Sequence, residues 1–232
     1  NPGLHPWIFF DWIKLFMKKI LIIGYGDIAT RFSNIMSNDD YKIHGISRNN
    51  THNIQNFISW NWLSDATPQL ESDEYDFIIF IPKPNTYDRD GYIDGFINSS
   101  KNVFNFCKEI SFKKFITISS TRIYGEKGNK YFQEDFASPN EFRGEIILKY
   151  EKIQRERYAK KLIVLRLSGL YDSLTKEKPL NHLHRDNAAK IIKFFVENDL
   201  KFSSSEVFNC AEDKSINISN EKLKKAGFIF NW

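Results

Sequence analysis

Cysteine is scarce in this chain of 232 residues, which contains only Cys107 and Cys210. The two cysteines lie far apart without a CxxC pair, so the sequence offers neither a disulfide framework nor a cysteine zinc site. Glycine and proline are also infrequent, with 11 and 7 residues, which excludes collagen-like and linker-dominated chains. We therefore expect a reducing, cytoplasmic setting.

A long apolar run and a charge excess of one sign are both missing after residue 16. The longest wholly apolar stretch, Phe77–Pro82, has the length of a buried strand, far below the roughly 20 residues that a membrane span requires. The 33 Lys and Arg residues against 29 Asp and Glu leave a net charge of +4, distributed in short mixed clusters. The sequence thus predicts a soluble protein that binds neither nucleic acid nor a membrane.

What the chain does contain is apolar material for a core, with 41% hydrophobic and 16% aromatic residues. Its length suits one elaborated domain, since a domain takes roughly 150 residues. The first 16 residues are apolar and aromatic but lack a starting methionine and a small-residue cleavage site, whereas Met17 opens a natural start. We interpret residues 1–16 as upstream or expression-derived sequence; the alternative is an amphipathic anchor or partner helix.

From Met17 onward, short β-branched runs alternate with segments of helical periodicity, the pattern of βα units on a parallel sheet. The predicted strands are Lys19–Ile23, Lys42–Ser47, Phe77–Ile81, Phe115–Ser119, Leu162–Leu167 and Val207–Asn209, with a weak strand within Ile54–Ser64. The predicted helices are Asp27–Met36, Tyr92–Ile110, Arg143–Lys160 and Arg185–Glu197. The fold class is therefore α/β, a doubly wound and mostly parallel sheet, with residues 17–170 as the core and residues 171–232 as a small integrated C-terminal cap.

A GxGxxA motif lies between the first predicted strand and the first predicted helix. There Gly24 permits a tight turn, Gly26 lets the backbone approach a pyrophosphate, and Ala29 allows close helix packing. We predict dinucleotide binding by a set of residues at the start of this helix: Gly24, Gly26, Asp27 and Ile28. The alternative is a purely structural turn.

The second predicted strand ends in Ser47 and Arg48, where an NAD-binding protein places an acid for the adenosine ribose. Arg48 can pair with a 2′-phosphate while Ser47 donates a hydrogen bond. The sequence therefore predicts a preference for NADP(H), with NAD(H) possible. The alternative is that Arg48 is a solvated loop charge.

A family resemblance rests on motifs that follow one another in order. Ser119–Gly125, SSTRIYG, is similar to the SSxxVYG motif of the extended NAD-dependent epimerase/dehydratase branch of the short-chain dehydrogenase/reductase superfamily. Val164–Tyr171 resembles its VLRxxxxYG segment and Asn181–Ala189 its IHVDDVA segment, so that the likeness runs from about Met17 to about Gly227. The resemblance implies a Rossmann-like NAD(P)-binding fold and an oxidoreductase or epimerase-like enzyme acting on a sugar-like or nucleotide-linked small molecule.

The resemblance also implies a role for Ser120, which lies four residues before the tyrosine of the YG pair. In the family this hydroxyl polarises the substrate carbonyl or hydroxyl, and Tyr124 is expected to face the substrate. The alternative is that Ser119, Ser120 and Thr121 merely satisfy backbone groups at a strand end.

The general acid–base pair of the family, YxxxK, is missing. Matching the family's segment to Ser138–Glu151 places Arg143 at the tyrosine position and Ile147 at the lysine position. Arginine stays protonated and isoleucine carries no charge, so neither can replace the pair. None of the ten tyrosines is followed by a lysine four residues later. The loss resembles the atypical subgroup of the superfamily, in which some members carry an Arg-Gly pair like Arg143–Gly144.

Arg143 is predicted to bind a phosphate or carboxylate of the substrate, the alternative being a surface residue at a helix start. Candidates for a replacement acid or base are Tyr124, Tyr150, His182 and His184, of which histidine titrates nearest to neutral pH. The family pattern implies a structural role for His184. A metal site is not expected, since no acidic or cysteine cluster accompanies the histidines.

Two classes of function remain open at this stage. One is the enzyme described above, and the other is a non-catalytic NADP(H)-binding redox sensor or scaffold protein, suggested by the missing acid–base pair. A shortened, inactive fragment is a third possibility. A homodimer is possible through the Tyr92–Ile110 and Arg143–Lys160 helices, through which relatives often dimerise.

Overall fold

The protein folds into layers of helices around one parallel sheet, as seen in a computed structural model that describes residues 17–125, 132–198 and 200–230. Strands β1 to β9 span Lys18–Ile23, Tyr41–Ser47, Phe57–Ser59, Glu74–Phe80, Ser111–Ser120, Leu162–Leu167, Gly169–Tyr171, His182–His184 and Glu206–Cys210. Helices α1 to α6 span Asp27–Asn34, Arg89–Tyr92, Ser99–Cys107, Phe142–Tyr158, Arg185–Glu197 and Glu221–Lys225. A π-helical segment, Ile93–Asn98, joins α2 to α3, and 3₁₀ turns cover Thr121–Tyr124 and Ala159–Lys161.

Seven strands form the main sheet in the order β3-β2-β1-β4-β5-β6-β9, and all neighbours are parallel. The strand order reverses between β1 and β4. In doubly wound sheets such a reversal opens a crevice at the carboxyl ends of the strands, where ligands bind. Strands β7 and β8 form a separate parallel pair. The predicted doubly wound parallel sheet is confirmed.

Both faces of the sheet are buried, which explains the apolar strand sequences. On β1, Leu21 and Ile23 face the core beneath the π segment and α4, whereas Ile20 and Ile22 face the core beneath α1 and α5. All four side chains are fully buried. Because successive strand residues point to opposite faces, an uninterrupted apolar run supplies both cores at once.

The predicted element bounds differ from the structure at polar strand starts and in the helix predicted over Tyr92–Ile110, which is divided into the end of α2, the π-helical segment and α3. Helix α5 spans Arg185–Glu197 as predicted, but β4 begins at Glu74 rather than Phe77, and β5 begins at Ser111 rather than Phe115. The two early segments pair with each other in the sheet register. Backbone hydrogen bonding extends these strands beyond the apolar residues that predict them.

The segment after residue 170 is continuous with the main body. It contributes α5 to one face of the sheet and β9 to its edge, in addition to β8. Leu183, Ile191 and Phe208 are buried in the same core as α1. The predicted leader, residues 1–16, lies outside the described residues, and among the helices of the described ranges none is long and apolar enough to cross a membrane.

Candidate functional site

The loop between β1 and α1 requires glycine at its first position. Gly24 has a φ of +96°, and a Cβ atom there would lie 2.2 Å from the carbonyl oxygen of Ile81. A side chain is therefore excluded both by backbone strain and by contact. Because Ile81 follows β4, this contact brings the ends of β1 and β4 together at the strand-order reversal.

Gly26 differs from Gly24, because neither its backbone nor its neighbours exclude a side chain. Its φ of −126° is accessible to any residue, and a Cβ atom built there would meet nothing within 4 Å. The space in front of α1 is therefore open. The first turn of a helix carries amide groups without intrahelical partners, and Gly26 as the N-cap makes no side-chain hydrogen bond to them. Such a turn suits an anionic pyrophosphate, so the loop fits a dinucleotide.

The other predicted nucleotide residues surround this loop. Ile28 is buried by its side chain, so only its backbone can contact a ligand. The backbone amide of Gly24 donates to the carbonyl oxygen of Ile46 at 2.9 Å, which places the end of β2 beside the loop. Ser47 follows, and its hydroxyl donates to the carbonyl oxygen of Asn49 at 2.8 Å. The side chain of Arg48 is exposed at the same edge of the sheet.

An exposed ion-pair network, hereafter the loop network, surrounds the start of α1. Arg31 Nε and Arg185 Nη1 each lie 3.0 Å from a carboxylate oxygen of Asp27. Asp172 and Asp186 complete the network, because Arg185 Nε lies 3.2 Å from Asp172 and Arg31 pairs with both aspartates. Partial burial raises the pKa of Asp27, but the hydrogen bonds from the two arginines outweigh it and lower that pKa overall. Sequence analysis missed this network, since only the Asp27–Arg31 spacing is local.

A cleft of about 720 Å³ opens beside the loop, at the carboxyl ends of β5 and β6. Ser120, the last residue of β5, lines this cleft with Arg122 and Glu141, and Leu180 and Asn181 form part of the opposite wall. The Ser120 hydroxyl also accepts a hydrogen bond from the Arg122 backbone amide at 3.3 Å. Both interpretations of Ser120 are therefore compatible with its position, as a cleft hydroxyl and as a cap at the strand end.

The cleft has a charged pair that sequence analysis did not single out. Arg122 Nη1 lies 2.9 Å from Glu141 Oε1, and the side chains are 45% and 35% exposed. Among the described residues that line the cleft, these two are the charged ones. A Cβ atom on Gly144 would lie 2.7 Å from the Arg122 carbonyl oxygen, so the glycine of the Arg-Gly pair allows α4 to approach this turn. The sequence offered one signal for Arg122, because this residue lies only two positions after Ser120.

Arg143 takes a position behind the cleft wall. Its guanidinium lies over the rings of Tyr92 and Phe142, at 5.8 and 5.5 Å from their centroids. Its Nη2 atom donates a long hydrogen bond of 3.4 Å to the carbonyl oxygen of Tyr87, a residue that does line the cleft. To bind an anion in the cleft, Arg143 would have to leave these rings. The predicted anion contact thus remains a prediction.

Tyr124 corrects the expectation that it faces the substrate. Its side chain is 1% exposed, and its hydroxyl donates to Asn209 Oδ1 at 2.7 Å and accepts from Arg166 Nη1 at 2.8 Å. Burial, opposed by Arg166 and Asn209, raises the pKa of Tyr124 to about 12. The hydroxyl points into the interior, because the 3₁₀ turn that follows Ser120 carries the side chain beneath the cleft. We leave Tyr124 out of the candidate site.

The partner of Tyr124 belongs to a buried ion-pair network, hereafter the core network. Arg166 on β6 donates twice to the Glu151 carboxylate, at 2.8 Å each, and Glu151 on α4 also accepts from the Ser119 hydroxyl at 2.6 Å. Burial disfavours the charged form of Arg166, but Glu151 reverses this effect and raises the pKa of Arg166. The core network joins β5, β6 and α4 directly below the cleft.

The remaining acid–base candidates are held in place by structural contacts. Tyr150 is fully buried with its hydroxyl bonded to Thr117, and burial raises its pKa well above the ordinary range. His182 is buried and its ring bonds to backbone carbonyl groups. The ring of His184 accepts from the Asp186 backbone amide at 3.2 Å and caps α5, a structural role of the kind the resemblance implies. Ile147, at the lysine position, is buried in the core.

Comparisons with known proteins identify the fold. No protein-family model matches the sequence, and no curated protein matches it either. Among solved structures, the UDP-N-acetylglucosamine 4-epimerase from Bacillus cereus is similar with a TM-score of 0.72 and 15% identity, over 93% of this chain and 92% of that one. The UDP-N-acetylglucosamine 4-epimerase from Methanobrevibacter ruminantium M1, in complex with UDP-N-acetylmuramic acid, has a TM-score of 0.69 and 16% identity over 93% of both chains.

A third similar structure was determined with NAD bound. The UDP-glucuronic acid 4-epimerase from Bacillus cereus, in complex with NAD, has a TM-score of 0.68 and 22% identity over 84% of this chain and 78% of that one. These identities establish a shared fold. The chain therefore has the Rossmann-like fold of nucleotide-sugar epimerases, as the resemblance of its motifs implies. Within the described ranges, no group of three His, Cys, Asp or Glu side chains is placed to hold a metal ion.

Proposed function

We propose that the chain is an NAD(P)-binding member of the extended epimerase/dehydratase branch, of its atypical kind, with an oxidoreductase or epimerase-like activity. Its substrate is a sugar-like or nucleotide-linked small molecule. The observation that carries the proposal is the position of the Gly24–Gly26 loop and the Ser120 cleft at the same carboxyl edge of the sheet. This edge is where doubly wound folds place cofactor and substrate together.

Each part of the proposed site has a defined task. The Gly24–Gly26 loop and the first amides of α1 hold the pyrophosphate, and Ser47 and Arg48 hold the adenosine end, with NADP(H) preferred. The bound dinucleotide supplies hydride transfer. Ser120 donates a hydrogen bond to the reacting oxygen of the substrate.

The proton that a substrate hydroxyl releases needs an acceptor other than the tyrosine of the family's YxxxK pair. Arg143 stays protonated and Ile147 lies in the core. Glu141 is the carboxylate among the described residues of the cleft lining, and we assign it the task of holding a proton from a substrate hydroxyl. Arg122, at 2.9 Å, keeps this carboxylate in the cleft.

The first test is calorimetric titration of the full chain with NADP, NADPH, NAD and NADH. We expect micromolar binding with the tightest binding for the NADP pair. An Arg48→Gln variant should lose the preference, because the 2′-phosphate loses its charged partner. Tighter binding of NAD than of NADP would contradict the role of Arg48, and no binding of any dinucleotide would refute the proposed function.

The second test addresses Ser120. Ser120→Ala should keep its dinucleotide affinity and lose turnover of any active compound in a panel of sugars and nucleotide sugars. NADPH fluorescence follows net oxidation or reduction, and chromatography of the products follows epimerisation, which leaves the cofactor unchanged overall. Thr121→Ala is a matched control, since Thr121 lines the same cleft next to Ser120. Equal turnover by the Ser120 variant would remove Ser120 from the mechanism.

A second candidate function is a non-catalytic NADP(H) sensor or scaffold. The burial of Ile147 and the permanent charge of Arg143 favour it, because they leave the family's acid–base position without a proton acceptor. A sensor should bind its protein partners differently with NADP and with NADPH, and should neither oxidise, reduce nor epimerise any compound in the panel.

The expected homodimer is also a proposal. A groove of about 250 Å³ runs between the π segment and α4, where Ile93, Ile97 and Ile146 line it. Light scattering of the full chain measures the mass in solution. A monomer at all concentrations would contradict a dimer through these helices.

A further inference from the structure

Arg185 connects the nucleotide loop to the wall of the substrate cleft. It is the first residue of α5, and its guanidinium lies 3.0 Å from Asp27, the first residue of α1, and 3.2 Å from Asp172. Asp172 directly follows β7. Leu170, on β7, and Leu180, later in the same segment, line the cleft. One side chain thus bridges the two parts of the proposed site.

The charged groups around Arg185 carry an excess of one negative charge, which a pyrophosphate would increase. The loop network contains three carboxylates and two arginines. A pyrophosphate at the start of α1 would bring two further negative charges beside Asp27, whose carboxylate is 45% exposed. The repulsion is relieved if an arginine of the network turns from Asp27 to the ligand.

Arg185 is better placed than Arg31 to make this turn. Arg31 lies on α1 itself, four residues after Asp27, and has three carboxylate partners. Arg185 is one-third exposed and reaches Asp27, the residue after Gly26, from the start of another helix. The amino-terminal ends of α1 and α5 therefore meet at this point, and both favour an anion.

The cleft wall is anchored through the same residues. Tyr171, next to Asp172, donates its hydroxyl to the buried Glu212 at 2.8 Å, and Glu212 also accepts from the His184 backbone amide at 2.8 Å. Since Arg185 follows His184, the start of α5 and the end of β7 share this anchor. Glu212 thus connects the start of α5 to the end of β7, from which residues 172–181 continue.

We propose that Arg185 exchanges Asp27 for the pyrophosphate of a bound dinucleotide while it keeps Asp172, so that the cofactor orders the 170–181 wall of the substrate cleft. This inference rests on the proposed dinucleotide binding. It assigns a contact with the cofactor to Arg185, and it makes the Asp27 carboxylate a competitor of the pyrophosphate for Arg185.

The affinity test is calorimetric titration of full-length variants with NAD, NADP and ADP-ribose. Arg185→Gln should weaken all three by about 10- to 100-fold, because each contains the pyrophosphate and loses one charge-assisted hydrogen bond. Asp27→Asn should tighten all three by about threefold to tenfold, because the competing carboxylate is gone. Lys193→Gln, about two turns further along the same helix where Lys193 pairs with Glu197, is the matched control and should bind as the wild type does.

Amide hydrogen exchange tests the coupling to the cleft wall. NAD should slow exchange in residues 170–181 of the wild type, and should not do so in Arg185→Gln even at saturating NAD. Arg185→Lys, which keeps a charge without the bidentate geometry, should be intermediate in affinity. Thermal melting of each variant shows that the fold is retained.

The outcomes distinguish a failure of the proposed function from a failure of this inference alone. If the wild type binds no dinucleotide, both the proposed function and this inference fail. If the wild type binds and Arg185→Gln binds equally well, only this inference fails. A loss of affinity for NAD alone, with ADP-ribose unaffected, would refute the pyrophosphate contact, and unchanged protection of residues 170–181 would refute the coupling.

Discussion

The carboxyl edge of the sheet has two sides: the side of the Gly24–Gly26 loop, hereafter the nucleotide side, and the side of the Ser120 cleft, hereafter the substrate side. The charged networks on the two sides differ in their exposure to solvent. In the loop network, Asp27, Arg31 and Arg185 are between 28% and 45% exposed. In the core network, Glu151 and Arg166 are 0% and 2% exposed. An exposed ion pair can exchange a partner for a ligand at small cost, whereas a buried pair cannot be opened without leaving a charge in the interior. The comparison indicates that the loop network is suited to ligand binding, whereas Glu151 and Arg166 below the cleft serve the architecture.

The largest effect should come from breaking the core network. Arg166→Met should lower the free energy of unfolding by about 3–5 kcal/mol, because the buried Glu151 carboxylate loses both hydrogen bonds from Arg166 and keeps Arg155, at 3.1 Å, as a partly exposed partner. Chemical denaturation measures this loss. Lys225→Met is the exposed control, since Lys225 forms a surface pair with Glu221, and its effect should stay below about 1 kcal/mol.

A double variant sharpens this first prediction. Arg166→Met combined with Glu151→Gln should recover part of the lost stability, because no uncompensated charge remains. A loss of less than about 1 kcal/mol in the single variant would mean that water reaches the core network. The difference in solvent exposure between the two networks would then be absent.

The two loop glycines should give the next largest effects, and of different kinds. Gly24→Ala should cost about 2–4 kcal/mol of stability, because a Cβ atom is both strained at positive φ and in contact with Ile81. Gly26→Ala should cost less than about 1 kcal/mol but weaken dinucleotide binding at least about tenfold, since the methyl group enters the open space. Denaturation and calorimetry measure the two quantities. Equal stability of the variants would contradict the difference in their surroundings.

The interior below the nucleotide side should produce a smaller, pH-dependent effect. His44 on β2 is buried and its Nδ1 atom lies 2.7 Å from the Tyr75 hydroxyl. Burial lowers the pKa of His44 below its ordinary value, so the unfolded chain takes up a proton before the folded chain does. Stability is therefore retained above about pH 6.5 and lost as the pH falls below it, by at most about 1.4 kcal/mol per pH unit.

Comparing His44→Gln with the wild type isolates this contribution. The slope of unfolding free energy between about pH 6.5 and pH 5 should be flatter in the variant, because its side chain takes up no proton. Identical slopes would show that His44 is protonated in the folded state as readily as in the unfolded state.

The smallest effect should come from the loop network itself. Arg31→Gln should change the free energy of unfolding by no more than about 1 kcal/mol, because its ion pairs are exposed to solvent. The difference should shrink further as salt is added. A loss as large as that expected for Arg166→Met would show that the loop network is structural, and would remove the basis for partner exchange by Arg185.

The nucleotide side was largely predictable because its requirements are local. Gly24 is needed for backbone reasons, and the apolar strand before the glycine loop and the helix after it can be read from consecutive residues. The seven-stranded parallel sheet followed from the alternation of strands and helices. The short pair β7–β8 and helix α6 escaped prediction, since three to five residues carry too little periodicity to be recognised.

The substrate side was less predictable because the direction of a side chain depends on distant contacts. The motif around Ser120 indicates a cleft, but it does not show that Tyr124 turns inward to Arg166 and Asn209, or that Arg143 lies over aromatic rings. Those partners are far away in the sequence and meet only when β5, β6, β9 and α4 pack together.

What the sequence determined by itself is the fold class and the tight glycine loop between β1 and α1, since the first follows from local periodicity and the second from the positive φ of Gly24. The tertiary structure alone decided which charged residues are exposed and which are buried. The cost of an unpaired charge depends on its distance from water, and that distance is set by the packing of the whole chain. For this reason Arg166, Arg122 and Arg185, all plain arginines in the sequence, have three different positions in the protein: the core, the cleft and the junction between cofactor and cleft wall.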